Sequence, residues 1–397
     1  MTREPLSNET QLAVAASHGS LLRSYEALFA SVVGAHEAVA FAYARTALSS
    51  ILTAIEVGPG DEVVLSPLTC KVVPLALLSL GVRPVYADIS TETLNLDPDR
   101  LESAIRTATR ALLFQHTYGN MAGAEEALQI AALKGVPLVE DCAQSLPFRA
   151  PNRRRGGWGI AAIYSNNLRK PLPAGSGGIA VTNDSNVAQR IREVREQYPH
   201  RRRFGEIRLR TEAWLEHRVL RPALYWRFFE LNRKLSAAYR LRPLEVEIAD
   251  EISRQALQVS DYQIREGLFW LSSVESLATH RRLCCAEYRR ALEDLHGLRL
   301  PPADVGQPLY YFPVLVERKQ ELLNAGRAKQ IEIIAWPMRA PIYPIEDIKS
   351  LHQYGYKPGS CPVAEEVAAK LVGLPTHARM RAEHRARVIE LVRSFAA

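Results

Sequence analysis

Apolar positions in the first half of the chain follow two alternating periods. Short runs at Glu62–Leu65, Arg83–Ala87, Ala111–Gln115, Val136–Glu140, Ile160–Tyr164 and Gly178–Thr182 have the length of buried strands. Between the first five lie Val72–Leu80, Asp97–Ile105 and Ala124–Leu133, which have helical spacing and length. An earlier helix is predicted over 44–56, where Leu48, Leu52 and Ile55 share a face, and Pro59-Gly60 closes it. Strand-length runs alternating with helices predict βαβ units, and so a largely parallel sheet with helices on both faces. The last two runs lie close together around the loop that follows Ser165, and there a departure from simple crossover is expected.

The second half reads differently. A helix is expected from Asp184 to about Gln197. From Gln258 a long helix is predicted with Tyr262, Leu268, Leu271 and Val274 among its apolar positions, then another through Tyr288 and Leu292. A strand (Leu309–Val316), a helix (Gln320–Ala325), a second strand (Ile331–Trp336), a Pro-rich loop and a last helix (Arg379–Phe395) complete a smaller α+β unit. A chain of 397 residues is long enough for two cores. The expected division is a large domain over 1–200, a basic insertion over 201–250, and a linking helix with a small C-terminal domain over 251–397.

In parallel sheets ligands gather at the carboxyl ends of strands. Thr69 and Cys70, His116, Asp141 and Ser165 each follow a predicted strand, so four strand ends aim polar groups at one edge. Five residues after Ser165 comes Lys170, in Ser165-Asn-Asn-Leu-Arg-Lys170-Pro-Leu-Pro-Ala-Gly175-Ser-Gly177-Gly178. A lone loop lysine is ordinarily a solvated charge. With the upstream string Glu140-Asp141-Cys142-Ala143-Gln144 the reading changes. A pyridoxal phosphate (PLP) site needs an amine for a Schiff base, a carboxylate to keep the pyridine nitrogen protonated, and donors for the phosphate. Lys170, Asp141 and Ser165 are those three types. The phosphate also suits a helix start, and the amides of Arg45 and Thr46, with the Thr46 hydroxyl, are the candidates. Taken singly, Asp141 could equally cap a helix and Gln144 could be a surface amide.

The order and spacing of these strings resemble the DegT/DnrJ/EryC1/StrS family of PLP-dependent aminotransferases. The matching strings are Ala44-Arg45-Thr46-Ala47-Leu48, Pro59-Gly60-Asp61-Glu62-Val63, Asp88, His116-Thr117-Tyr118-Gly119, Glu140 through Gln144 and Ser165 through Gly178. A second block runs from Val259-Ser260-Asp261-Tyr262-Gln263 to Leu374-Pro375-Thr376-His377. The resemblance implies a fold-type I α/β transferase with catalytic Lys170 and Asp141. Its implied cofactor contacts come from Arg45, Thr46, Cys70, Asp141, Gln144, Ser165 and Lys170, with Gln144 donating to the ring's phenolate oxygen. It also implies a homodimer, because the helix near Val259 feeds residues into the partner's site in that family. The family's non-transaminating branch has His at the Schiff-base position, and Lys170 argues against it. Four positions depart from the pattern. Cys70 stands where an aromatic stacks on the ring, Ser176 where the family has glutamate, and Gly159-Ile160 where it has Gly-Asp. Ala256 stands where a partner's asparagine reaches the phosphate, with Arg254 the nearby candidate replacement.

Net charge is +7, but residues 201–242 hold twelve Arg/Lys and four Glu and so carry +8, leaving −1 for the rest. A basic pI confined to one segment is no argument for nucleic-acid binding. Within 214–242, Leu220, Leu224, Phe228, Leu231 and Leu235 repeat at helical steps among arginines, with Trp226 and Phe229 beside them and Pro222 interrupting early. Three readings stand: a helix packed on the body or a partner subunit, a peripheral contact with anionic lipid, or arginines that hold a diphosphate-bearing substrate. Five cysteines show no disulfide, metal or redox spacing, and no metal is expected. Met-Thr-Arg-Glu-Pro lacks a signal-peptide pattern, and no run of 18 apolar residues occurs. The expectation is a cytoplasmic protein, with membrane-peripheral contact as the variant.

The expected function is conversion of a keto group on a sugar or cyclitol, carried on a nucleotide in most of the family, to an amine, with an amino acid such as glutamate as donor. Two readings from other classes stay open: a PLP-binding regulator without turnover, and a membrane-associated scaffold built on the 201–242 helix.

Overall fold

The computed structural model describes residues 18–147, 159–219, 256–300 and 306–396. Seven strands form the main sheet: β1 (Glu37–Phe41), β2 (Glu62–Leu65), β3 (Arg83–Tyr86), β4 (Thr109–Gln115), β5 (Leu138–Asp141), β6 (Ala161–Ser165) and β7 (Gly178–Thr182). Their spatial order is β1-β7-β6-β5-β4-β2-β3. The neighbours from β6 to β3 are parallel, whereas β7 is antiparallel to both β6 and β1. The reversal expected around the Lys170 loop is therefore present. Because β7 alone runs backwards and β1, antiparallel to it, runs with the rest, the end of β1 and the start of β7 reach the same edge as the carboxyl ends of the parallel strands.

Alternation along the strands places a core on each face. In β2, Val63 and Leu65 pack with Leu48, Ile51 and Leu52 of helix α2 (Ala44–Ala54), Leu77 of α3 (Val72–Ser79) and Ile191 of α6 (Ser185–Glu196). Val64 points the other way, with Leu101 of α4 (Pro98–Ala104) and Ala124, Ala127 and Ala131 of α5 (Ala124–Leu133). Beyond β5, α1 (His18–Val33) and α8 (Asp261–Leu271) cover that second face through Tyr25, Phe29, Ile264 and Leu268. Helices α2 to α6 lie where spacing puts them, to within two residues at each end. Helix α8 stops at Leu271, and Val274, expected on it, instead opens the second expected helix, α9 (Val274–Leu292).

The smaller sheet has the order β10-β9-β8, with β8 Leu298–Arg299, β9 Tyr311–Val316 and β10 Leu371–Pro375, all antiparallel. Helix α9, α10 (Lys319–Ala328) and α12 (Ala382–Arg393) pack on it through Tyr288, Leu322 and Val388. The strand expected at Ile331–Trp336 is not a strand. Its one pairing is a bridge in which Ile334 and Gly373 exchange backbone bonds of 2.9 Å. Pro337 then ends the run, lacking an N–H to continue a ladder. The remaining helix here, α11 (Pro362–Lys370), is capped from the main sheet. Its own N-cap residue, Cys361, makes no cap bond, and Asp88 accepts from Val363 N–H and Ala364 N–H, both at 2.9 Å.

Of the basic segment, helix α7 (Arg203–Val219) is described. Phe204, Ile207, Trp214 and Leu215 are exposed on it, at steps that put them on one face. The stripe from Leu220 to Leu235, with Trp226, Phe229 and Arg254, lies outside the described residues.

Candidate active site

Asp141 is the last residue of β5 and Ser165 the last of β6, on adjacent parallel strands. Asp141 is buried, and Oδ1 accepts from Ala143 N–H at 2.9 Å. No hydrogen bond from the described residues reaches Oδ2. Burial raises the Asp141 pKa above the usual carboxylate range, with Ala143 N–H, the Lys170 ammonium and the His116 imidazole pulling it back. Lys170 is thus close enough to act on the Asp141 charge.

Lys170 sits half-buried in a turn, where its N–H donates to Asn167 C=O at 2.8 Å. The return to β7 runs through Gly175 (φ +87°) and Gly177 (φ +137°), backbone states that disfavour a Cβ. Gly178 is required for space. A Cβ there would lie 2.2 Å from Ala44 Cα and 2.3 Å from Ala44 N. This contact brings the first turn of α2, with half-buried Arg45 and buried Thr46, against the start of β7, which pairs with Ser165. Tyr43, the N-cap residue, makes no side-chain cap bond there.

Gln144 is oriented without ambiguity. Its Oε1 accepts from Tyr118 N–H at 2.9 Å, and a backbone amide can only donate, so the amide nitrogen is the end left to donate. Cys70 is half-buried and pairs with Tyr343 through an isolated bridge, which ties this strand end to the C-terminal unit. Ser176, at the glutamate position, donates to Ala42 C=O at 3.3 Å. Ala256 and Gln258 precede α8, and Gln258 is bonded to Tyr198 C=O and Pro199 C=O. His116 and Glu140 form a buried pair of 2.8 Å, and the other Glu140 oxygen accepts from Gly159 N–H. With Cys142 they place three metal-ligating atoms within 4.8 Å of one another, a grouping that no sequence spacing revealed.

Two tyrosines not assigned a role from the sequence connect the site to the small sheet. Tyr118 holds a left-handed backbone (φ 55°) and accepts from Tyr310 N–H at 2.8 Å. Tyr310 in turn donates its hydroxyl to the carbonyl of Arg169, next to Lys170. No local pattern marks Tyr310, because its partners are far away in sequence.

The arrangement fits the cofactor. A buried carboxylate with one free oxygen suits a pyridinium nitrogen, an oriented amide suits a phenolate oxygen, and a helix start held against Gly178 suits a phosphate. A mostly parallel sheet with such an edge defines the fold-type I class of PLP-dependent enzymes. The sequence profile of the DegT/DnrJ/EryC1/StrS aminotransferase family matches residues 7–212 and 254–393. The chain belongs to this family and is a PLP-dependent aminotransferase. It is 27% identical over 383 residues to the pleiotropic regulatory protein of Geobacillus stearothermophilus, covering 95% of this chain and 90% of that one. It is 32% identical over 332 residues to GDP-perosamine synthase of Caulobacter vibrioides, covering 82% and 86%. The crystal structure of DesV from Streptomyces venezuelae superimposes with a TM-score of 0.75 at 26% identity, covering 98% and 94%.

Proposed function

We propose that this aminotransferase converts a keto group on a nucleotide-linked sugar, or on a cyclitol, to an amine, using an amino acid such as glutamate as donor. The observation that supports the site reading is the buried Asp141 at the end of β5, within electrostatic reach of Lys170 in the loop that follows β6. Bound PLP supplies an aldehyde for an amine and an electron sink for charge developing at the amino-bearing carbon. Lys170 is the amine that holds it and, once displaced, the general acid/base that moves a proton at that carbon. Asp141 keeps the proton on the pyridine nitrogen. Gln144 donates to the phenolate oxygen. The Arg45 and Thr46 amides, the Thr46 hydroxyl and Ser165 hold the phosphate, and Cys70 packs at the ring face where the family stacks an aromatic.

The acceptor class rests on similarity to proteins such as GDP-perosamine synthase. We read residues 201–250 as an insertion without a part in the chemistry; the gap in the family match at 213–253 supports this for that stretch, whereas 201–212 fall within the match. A homodimer and a peripheral contact with anionic lipid through this segment complete the proposal, the latter supported by the exposed stripe on α7 and the +8 charge. Among the described residues no helix is long and apolar enough to cross a membrane.

The test is a screen of nucleotide-linked keto-sugars and keto-cyclitols for conversion of glutamate to 2-oxoglutarate. Robust turnover with one acceptor supports the proposal. Similarity to a pleiotropic regulatory protein favours one competing reading, regulation without turnover. Cofactor binding with no turnover on any acceptor or donor would select it.

A further inference from the structure

The Arg169–Lys170 peptide unit is held at both polar ends. Lys170 N–H donates to Asn167 C=O at 2.8 Å, and Arg169 C=O accepts from the Tyr310 hydroxyl. Tyr310 belongs to neither strand of that loop. It stands at the entry to β9, in the small-sheet unit, 141 residues away.

Tyr310 is itself fixed from several directions. Its N–H donates to Tyr118 C=O at 2.8 Å. Its carbonyl accepts from Arg281 Nη1 at 2.9 Å and from Thr376 Oγ1 at 2.7 Å. The Arg281 guanidinium lies 5.7 Å from its ring centre. Tyr311 stacks on it at 3.9 Å between centroids and donates its hydroxyl to the Tyr310 oxygen at 2.8 Å. That oxygen has one proton to give, and it goes to Arg169. Burial pushes the phenol up to about 12, so the donor persists across the neutral range.

We propose that Tyr310 is a positioning residue for Lys170, its hydroxyl fixing the peptide from which the lysine side chain departs. This rests on reading Lys170 as the cofactor-binding amine. The loop returns through two glycines in left-handed or extended-positive backbone, so its own torsions do little to hold that peptide. Without the phenol the peptide is held only through Lys170 N–H, its carbonyl end is looser, and the lysine amine reaches its reacting position less often. Tyr118 links the same clasp to Gln144, whose side-chain oxygen accepts from its N–H.

The test compares the full-length chain with Tyr310→Phe and Tyr311→Phe. Both variants keep the stacked rings and lose one hydroxyl each, but only the first loses the bond to Arg169. Two readings are taken: amide exchange of peptides spanning 166–172 in cofactor-free protein, and the rate at which added PLP develops the lysine-linked absorbance band. Tyr310→Phe is expected to raise exchange at Lys170 and slow the band by about tenfold, the worth of one hydrogen bond, with an unchanged melting temperature. Tyr311→Phe is expected to match the wild type in both. Wild-type behaviour of Tyr310→Phe in either reading overturns the proposal. So does an equal effect of Tyr311→Phe, or a Tyr310→Phe chain too unstable to isolate, because the phenol would then serve the fold as a whole. A wild-type chain that develops no band refutes the Lys170 reading instead, and the exchange comparison still judges the clasp.

Discussion

Tyr118 N–H donates to Gln144 Oε1 at 2.9 Å from a residue whose φ is 55°. Left-handed backbone at a bulky residue is uncommon, costs on the order of 1–3 kcal/mol, and collects at functional sites. Here it fixes the side-chain amide of Gln144 by its oxygen, so that the amide nitrogen is the end left to donate.

This relationship predicts the outcome of Gln144→Glu. The variant can still accept from Tyr118, but it presents an oxygen where a donor is needed. PLP affinity is expected to fall at least about tenfold, the order of one charge-assisted hydrogen bond, in an absorbance titration.

Lys170→Ala is expected to abolish the lysine-linked absorbance band, the borohydride-trapped adduct on Lys170, and transamination. Peptide mapping of the wild-type adduct locates the amine. Full turnover by the variant would remove Lys170 from the chemistry.

Asp141→Asn is expected to retain the cofactor and to slow transamination by at least ~10²-fold, the usual loss on removing a tuned proton-transfer partner. The cofactor-free protein gives a second reading with opposite sign. Burial raises the Asp141 pKa, so the folded chain binds more protons there than the unfolded chain. That charge lowers stability above the folded pKa, and the deficit disappears as pH falls below the unfolded value of about 3.9. Cofactor-free Asp141→Asn should therefore melt higher than wild type at neutral pH and converge with it in acid. A lower melting temperature at neutral pH would show the carboxylate to be compensated already.

Gly178→Ala places a methyl 2.2 Å from Ala44 Cα, a backbone atom that cannot step aside. The start of α2 must move from β7, at a cost of about 1–3 kcal/mol or more. Chemical denaturation reads that loss. PLP phosphate affinity should fall with it, since Arg45 and Thr46 ride on the displaced turn.

Exposed Phe204, Ile207, Trp214 and Leu215 on a helix of a basic segment predict salt-sensitive flotation with anionic liposomes. Binding should be present at low ionic strength, weaken at ~1 M salt, where the Debye length is about 3 Å, and be lost in Phe204→Glu/Trp214→Glu. A folded wild-type chain that stays with the unbound fraction at low salt would leave packing against protein as the stripe's role.

Much of the architecture was readable because spacing carries it. Val63, Val64 and Leu65 face both cores, and the helices between strands repeat at their own period, so strand ends and their polar residues could be placed on one edge. Among the elements that escaped, two strands did so for clear physical reasons, and one expected strand did not form. In β1, Ala38 and Ala40 alternate with Val39 and Phe41, and alanines add little strand signal although all four are buried. Strand β10 follows α11 without a loop, Lys370 to Leu371, so no turn residue separates the two periods. Ile331–Trp336 has strand composition but meets no free ladder beyond Gly373. In the site, Asp141, Ser165 and Lys170 lie within thirty residues and could be read together, whereas Tyr310 acts through a contact across the tertiary fold that leaves no mark on its neighbours.

The capping of α11 by Asp88 sets an order of manufacture. Asp88 leaves the ribosome about 275 residues before the amides it will accept, and until they arrive it is a carboxylate beside a finished strand. Helix α11, lacking a cap bond from its own neighbour, has its first-turn amides satisfied only when it meets that acid. The half of the chain made last is completed by a residue of the half made first, so the two cannot be produced as independent pieces and joined later without loss.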